Sequence, residues 1–383
     1  MFQQFQNWFE NRHEYAEEWK ARTGGKVLGY FCTYVPEEIL CAAGVLPVRI
    51  LGSHEPLDLT EPYIFGMFCP FCRDCLSQGL KGRYDYLDGI MISQSCLHIR
   101  QSFNAWRKHL PREFDYYLYM PNNIQTAAAK PYLAGELATF KEAVEEWVGQ
   151  EITDADLDRG IEIMDENRRL MRQVYEMRKA DDPPLTGLDA MHMVISSQVT
   201  DKREHSAEVQ RVLSKLPERA NERETGERLM ILGSEDDDTE FIRMVESLGA
   251  TFVIDDHCTG SRYFWNEVEP VDRYDMDRLL AVAARYVDRP PCPSKDWPAR
   301  NRFPFILDLA EEYQVDGAIL VQQKFCDPHE LDIPPLASAF EEKGLKTLFL
   351  EFDVTVPVGQ FQTRVEAFLE MIREEDLFDE DLF

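Results

Sequence analysis

The sequence lacks any apolar stretch near the roughly 18 residues that a membrane-crossing helix needs, which argues against a membrane span. It is also poor in positive charge. Lys and Arg number 41 against 70 Asp and Glu, a formal net charge of −29, and no basic cluster interrupts the excess. Such a surface repels nucleic acid and anionic membrane, so neither is an expected partner. The opening Met-Phe-Gln-Gln-Phe-Gln does not read as a secretion signal, and nine cysteines is an odd number for a disulfide framework, so a secreted disulfide scaffold is not expected. A cytoplasmic protein with reduced thiols free for metal is expected. Two phosphate-binding signatures are missing. Thr23-Gly-Gly-Lys26 lacks the first glycine of a phosphate loop, and no G-x-G-x-x-G follows a strand.

Two matching phrases stand out, more than two hundred residues apart. Asp88-Gly-Ile-Met-Ile-Ser-Gln-Ser-Cys96 and Asp316-Gly-Ala-Ile-Leu-Val-Gln-Gln-Lys-Phe-Cys326 each combine Asp-Gly, an apolar run, a Gln-containing turn and a cysteine. Apolar runs of this length read as buried parallel strands. Each cysteine then lies past the carboxyl end of a strand, where open α/β sheets place their ligands. Facing halves would bring two thiols to one cleft.

Strand and helix signals alternate around these phrases. The first twenty-odd residues read as one amphipathic helix with a face for a partner. Strands follow at 26–31, 48–51, 88–93 and 116–120. Helices are expected over Pro36–Gly44 with Pro at N1, over 65–80 and over 98–109. Residues 127–216 show helical periodicity without strand candidates, broken at Asp181-Asp-Pro-Pro184. Alternation resumes with strands at 228–233, 251–255, 317–321 and 346–351. Helices lie near 238–248, 275–287, 300–313, 335–343 and 361–374, before an acidic tail from Glu374 that is expected to fray. The fold class is α/β, with two flavodoxin- or Rossmann-like parallel-sheet lobes and a helical insertion between them. The expected boundaries are 1–125, 126–225 and 226–383.

Cys69-Pro-Phe-Cys72-Arg-Asp-Cys75 is the densest cysteine cluster. It opens like a ferredoxin motif but lacks its completion, and a zinc knuckle would need a second C-x2-C that is absent. On a helix the three side chains fan over about 120°, so one ligand with two core cysteines is the plainer reading. Cys96, Cys258, Cys292 and Cys326 are singletons. Thiols scattered over several strands suit an iron–sulfur cluster between lobes better than a local zinc site. Asp255-Asp-His-Cys-Thr-Gly-Ser-Arg-Tyr-Phe-Trp265 reads either as a functional loop or as a helix start capped by Thr259 or Ser261. His98 either donates a proton or caps its helix.

Taken together, Gly29–Gly44, the Cys69 segment, Leu87–Arg100, Asp255–Trp265 and Lys324-Phe-Cys-Asp-Pro-His329 resemble the 2-hydroxyacyl-CoA dehydratase and benzoyl-CoA reductase family, from about Lys26 to Ile372. The resemblance implies one [4Fe–4S] cluster per chain, held by Cys69, Cys96 and Cys326. Cys72 or Cys75 remains open as a replacement for Cys69. Cys41 is not expected to be a ligand, and Cys32 is kept open. The resemblance also implies a related cluster-bearing sister subunit, an acyl-CoA substrate, and an ATP-hydrolysing iron–sulfur activator fed by reduced ferredoxin. ATP and Mg would sit only on those partners. The phrasing is most similar to the smaller substrate-binding subunit of ATP-dependent benzoyl-CoA reductases, which dearomatise the ring to a cyclic dienoyl-CoA. An (R)-2-hydroxyacyl-CoA dehydratase subunit is the second reading, and an electron-relay or scaffold subunit the third. His98, His257 and His329 are the candidate proton donors. Arg262 is a candidate for CoA phosphates, equally open to internal charge pairing.

Overall fold

The computed structural model describes residues 1–57, 59–219 and 224–379. Its first lobe carries α1 (Gln3–Glu10), α2 (Arg12–Thr23), β1 (Val27–Tyr30), α3 (Glu37–Ala42), β2 (Leu46–Arg49), α4 (Pro70–Leu80), β3 (Gly89–Ser93), α5 (Leu97–His109) and β4 (Phe114–Leu118). Four helices follow: α6 (Ala129–Val148), α7 (Asp154–Glu176), α8 (Gly187–Ser197) and α9 (Lys202–Leu213). The second lobe contains β5 (Arg228–Gly233), α10 (Thr239–Ser247), β6 (Thr251–Asp256), α11 (Arg278–Asp288), α12 (Arg302–Glu312), β7 (Gly317–Gln323), α13 (Asp327–Glu342), β8 (Lys346–Phe352) and α14 (Val358–Asp379).

Both sheets are parallel and four-stranded. Their orders are β2-β1-β3-β4 and β6-β5-β7-β8, the same order in each lobe. In each, the strand order reverses beside the first strand, and the crevice at the carboxyl ends there is where such sheets bind ligands. The repeated Asp-Gly phrase has one structural reason in both lobes. Asp88 accepts the amide of Val27 at 2.8 Å, and Asp316 accepts that of Arg228 at 2.7 Å, so each carboxylate ties its strand to the start of the neighbouring one. A Cβ at Gly89 would crowd Phe114, and one at Gly317 would press on Ile372 and Phe368.

The helical segment packs onto both lobes rather than standing apart. On α6, Phe140 and Trp147 cover Tyr116 and Phe114 of β4. α7 packs on α3, and α8 packs on α10 of the second lobe. Capping boxes at Thr153 with Asp156 and at Thr186 with Asp189 start α7 and α8 by satisfying amides that open the helix.

Four expectations change. The leading helix is two helices broken at Asn11, and its aromatic face is used internally: Phe5 packs at a tilt against His205 and α1 packs on α8. α4 starts at Pro70 rather than residue 65, because Pro70 occupies the first turn, where no amide is needed. α13 begins at Asp327 rather than 335, and Pro334 and Pro335 lie inside it rather than marking its start. The tail expected to fray from Glu374 is helical to Asp379, and its remainder lies outside the described residues. No helix among the described residues is long and apolar enough to cross a membrane.

The lobes meet through charged pairs at the carboxyl ends of their sheets. Buried Arg49 pairs with Glu235, and His54 Nε2 lies 2.9 Å from Asp237. Burial works against protonating His54, but the Asp237 carboxylate outweighs it, with smaller help from Asp238 and Asp74, raising His54 to about 10. A raised folded pKa contributes stability that is complete below the unfolded value of about 6.5 and is lost as pH rises through about 10. The upper limit of that contribution is about 5 kcal/mol, and partial exposure of the ring brings the expectation to roughly 2 kcal/mol. Urea unfolding of the protein and of His54→Gln should therefore differ most at pH 6 and converge by pH 10. A difference independent of pH would contradict this account.

Candidate active site

The carboxyl ends of both sheets open onto one cavity of about 70 Å³. Seven of the nine cysteines line it: Cys32, Cys69, Cys72, Cys96, Cys258, Cys292 and Cys326. Phe31, Tyr34, Phe71 and Ile99 give it apolar walls. Cys41 and Cys75 lie outside. The Cys75 thiol turns back to the carbonyl of Ile50, away from the cavity lining.

The three cysteines singled out by sequence share a position. Cys69 immediately precedes α4, Cys96 precedes α5, and Cys326 precedes α13. Three helix N-termini therefore border one cavity, and free amides and the positive end of a helix dipole favour negative charge there. The thiols respond differently. Cys69 is lowered, first by the side-chain hydrogen bond from Cys72 and then by the amides of Cys72 and Phe71 against burial. Cys96 and Cys326 are raised, chiefly by burial and then by neighbouring thiols. A bound metal would reverse this, because a coordinating thiol gives up its proton.

Among the described residues, no three Cys, His, Asp or Glu side chains stand close enough to hold a single metal ion. The thiols are instead spaced around a common void. That spacing fits a polynuclear iron–sulfide group, whose separate irons take separate thiolates, better than one tetrahedral zinc.

The three histidines play different parts. His98 Nδ1 accepts the Cys69 amide at 3.0 Å, its ring packs on Phe68, and its Nε2 lies 3.9 Å from Asp327. It links the loops that carry Cys69, Cys96 and Cys326 and does not line the cavity. His257 is fully buried, with Nδ1 3.0 Å from the Thr259 hydroxyl, and also stays outside. His329 lines the cavity with Nδ1 3.3 Å from the Cys326 sulfur. Burial, with Arg262 and Arg302 nearby, keeps its imidazole neutral.

The Asp255–Trp265 loop supplies Cys258 to the cavity. Its hydroxyls fasten the loop rather than cap an α-helix: Thr259 accepts the Asp236 amide, and Ser261 donates to the Asp255 carbonyl at 2.5 Å. Arg262 is held in place by charge pairing. It is buried, bonds Asp256 at 2.9 Å and donates to the carbonyls of Gly233 and Asp256, with Nη1 3.6 Å from the Cys258 sulfur.

Glu235 is a cavity residue that sequence reading missed. One oxygen is held by Arg49, while Oε2 is buried without a partner. Burial raises the carboxyl to about 7 against the opposing pull of Arg49. Its signal was its place just past β5, the rule that located Cys96 and Cys326. The same rule applies to Cys32 after β1 and Cys258 after β6. Cys292 comes from the loop after α11 and carried no such signal.

Residues 32–372 match the family model described as 2-hydroxyglutaryl-CoA dehydratase, D-component. The (R)-phenyllactyl-CoA dehydratase beta subunit of Clostridium sporogenes is 29% identical over 97% of this chain and 98% of its own. A benzoyl-CoA reductase subunit from Thauera aromatica is 28% identical over 91% of this chain and 90% of its own. The (R)-2-hydroxyglutaryl-CoA dehydratase beta subunit of Acidaminococcus fermentans is 26% identical over 97% and 99%. The repeated lobes, the thiol-lined cavity between them and a match spanning most of the chain lead to one conclusion: this protein belongs to the 2-hydroxyglutaryl-CoA dehydratase D-component family.

Proposed function

We propose that the chain is the iron–sulfur subunit of an aromatic acyl-CoA reductase that dearomatises benzoyl-CoA or a substituted analogue to a cyclic dienoyl-CoA. The observation that carries this reading is the convergence of Cys69, Cys96 and Cys326 from both lobes on one small, apolar-walled cavity. These thiols would hold a [4Fe–4S] cluster, which supplies low-potential electrons when bound. The likeness to the Thauera aromatica benzoyl-CoA reductase subunit supports the substrate class, and Phe31, Tyr34, Phe71 and Ile99 offer the walls an aromatic ring needs. The relatives' names, each that of one subunit among several, support a sister subunit, and the family resemblance supports an ATP-hydrolysing activator fed by reduced ferredoxin.

The chain's own residues exclude water and handle the proton. Apolar walls shield a charged substrate radical from quenching by solvent. Glu235 is the proton carrier this site favours, because a carboxyl near neutrality with a free Oε2 at the cavity can donate at working pH. His329 packs against Cys326 and fixes that ligand, while His98 fixes the loop of Cys69.

A second reading, dehydration of an (R)-2-hydroxyacyl-CoA, is favoured by the full-length match to the phenyllactyl-CoA dehydratase subunit. Turnover by the anaerobic complex separates the two. The reductase consumes reduced ferredoxin and ATP in proportion to product, whereas the dehydratase needs only catalytic amounts because its electron is recycled. Cys326→Ser should abolish turnover. Turnover that survives this change, with acyl-CoA binding intact, would mean a relay or scaffold subunit.

Glu235→Gln should lower kcat by about 10²- to 10⁴-fold, the usual worth of a positioned acid, with iron content unchanged. Full activity would remove Glu235 from the mechanism. His98→Ala should leave the fold intact but lower bound iron, because the Cys69 amide loses its acceptor. Unchanged iron retention would show that His98 does not position the site.

A further inference from the structure

Three of the cavity's thiols are not needed by the function proposed above. Cys32 follows β1, Cys258 follows β6, and Cys292 precedes the short turn Pro293–Lys295. All three line the same void as Cys69, Cys96 and Cys326. A four-iron cube takes at most four protein thiolates. Six inward-facing thiols, with Cys72 left as a hydrogen-bond donor to Cys69, exceed that number.

The charges around these three thiols point the same way. Arg289 lines the cavity and is 2% exposed, and its guanidinium reaches the Thr33 carbonyl at 2.7 Å, the Thr33 hydroxyl at 3.2 Å, the Arg262 carbonyl and the face of the Tyr34 ring, 4.5 Å from its centroid. Its Nε is buried without a partner. Lys295 is fully buried beside Cys292, and Nζ finds the Asn122 side-chain oxygen at 3.4 Å. Neither cation has a carboxylate within 4.0 Å among the described residues. Arg262 adds a donor 3.6 Å from the Cys258 sulfur. Buried cations without counter-ions are costly, and they become favourable only when something anionic fills the space they face. Arg49, which also lines the cavity, is by contrast already paired with Glu235.

We infer that Cys32, Cys258 and Cys292 are a second set of iron ligands, so that the cavity holds an iron–sulfide assembly of more than four irons bridging both thiol sets. The inference rests on the proposed reading that the cavity takes iron and sulfide, and it extends that reading from three ligands to six. Each thiol loses its proton on ligation. The resulting negative charge is offset by iron and by Arg289 and Lys295. Such an assembly joins the lobes through sulfur ligands from both, with Cys32, Cys69 and Cys96 on one side and Cys258, Cys292 and Cys326 on the other.

The test is chemical analysis of iron, sulfide and zinc in the full-length chain after anaerobic reconstitution with ferrous iron and sulfide, paired with native mass spectrometry. The expected wild-type content is clearly above the four irons of one cube. In the triple variant Cys32→Ser, Cys258→Ser, Cys292→Ser it should fall by about half. Wild type with about four irons, matched by the triple variant, overturns the second ligand set while leaving the iron–sulfur reading intact. A wild-type content above four that the triple variant keeps also overturns the assignment of these residues. No iron, or zinc in its place, overturns both readings. If the triple variant fails to fold, the wild-type count and the mass of its bound group decide the matter.

Discussion

Two parallel sheets facing each other through their carboxyl ends is the constraint on which the rest of this molecule depends. A parallel strand delivers its chain to solvent at that end, and the following helix presents free amides there. When two such ends abut, the turns of both lobes crowd into one small volume. In this chain the crowding residues are mainly thiols, together with cations and one half-neutral carboxyl. Arg49 with Glu235 and His54 with Asp237 hold the ends together from either lobe.

Placement of the thiols follows from that geometry. Cys69, Cys96 and Cys326 each sit at the first turn of a helix, so an anionic group at the cavity meets three positive dipole ends together. Neighbouring side chains set the orientation of these turns. His98 ties the Cys69 amide to the start of α5, and His329 rests against the Cys326 sulfur. Deeper support comes from buried ion pairs. Asp256 is flanked by Arg262 and Arg302, which keep its carboxyl well below the ordinary range, and Arg302 reaches on to Asp332. Removing one partner from such a group leaves a buried charge uncompensated, so the wall of the site and the stability of the second lobe are coupled.

Much of this was legible in the sequence because it rests on local signals. The apolar runs after Asp88 and Asp316 became β3 and β7, and their terminal cysteines reached the cavity. The helical stretch after residue 127 carried no strand. Less legible were features fixed by tertiary contact. Nothing local says that the leading aromatic residues pack on α8, or that Pro334 and Pro335 lie inside a helix begun at Cys326. Glu235 resembles any member of an acidic run until burial and Arg49 distinguish it. Cys292 is brought in from a loop with no strand to announce it. His98, weighed as a proton donor or a helix cap, also accepts the Cys69 amide, a contact that no local signal announces.

The central claim is that thiols from both lobes hold one iron–sulfide group between the sheets. X-ray diffraction from anaerobic crystals, recorded on both sides of the iron absorption edge, addresses it directly. The account predicts strong iron anomalous density inside the cavity, in bonding contact with the sulfurs of Cys69, Cys96 and Cys326. Ordered thiols around a cavity without iron density, in protein shown to be active, would contradict it, as would a signal appearing only at the zinc edge.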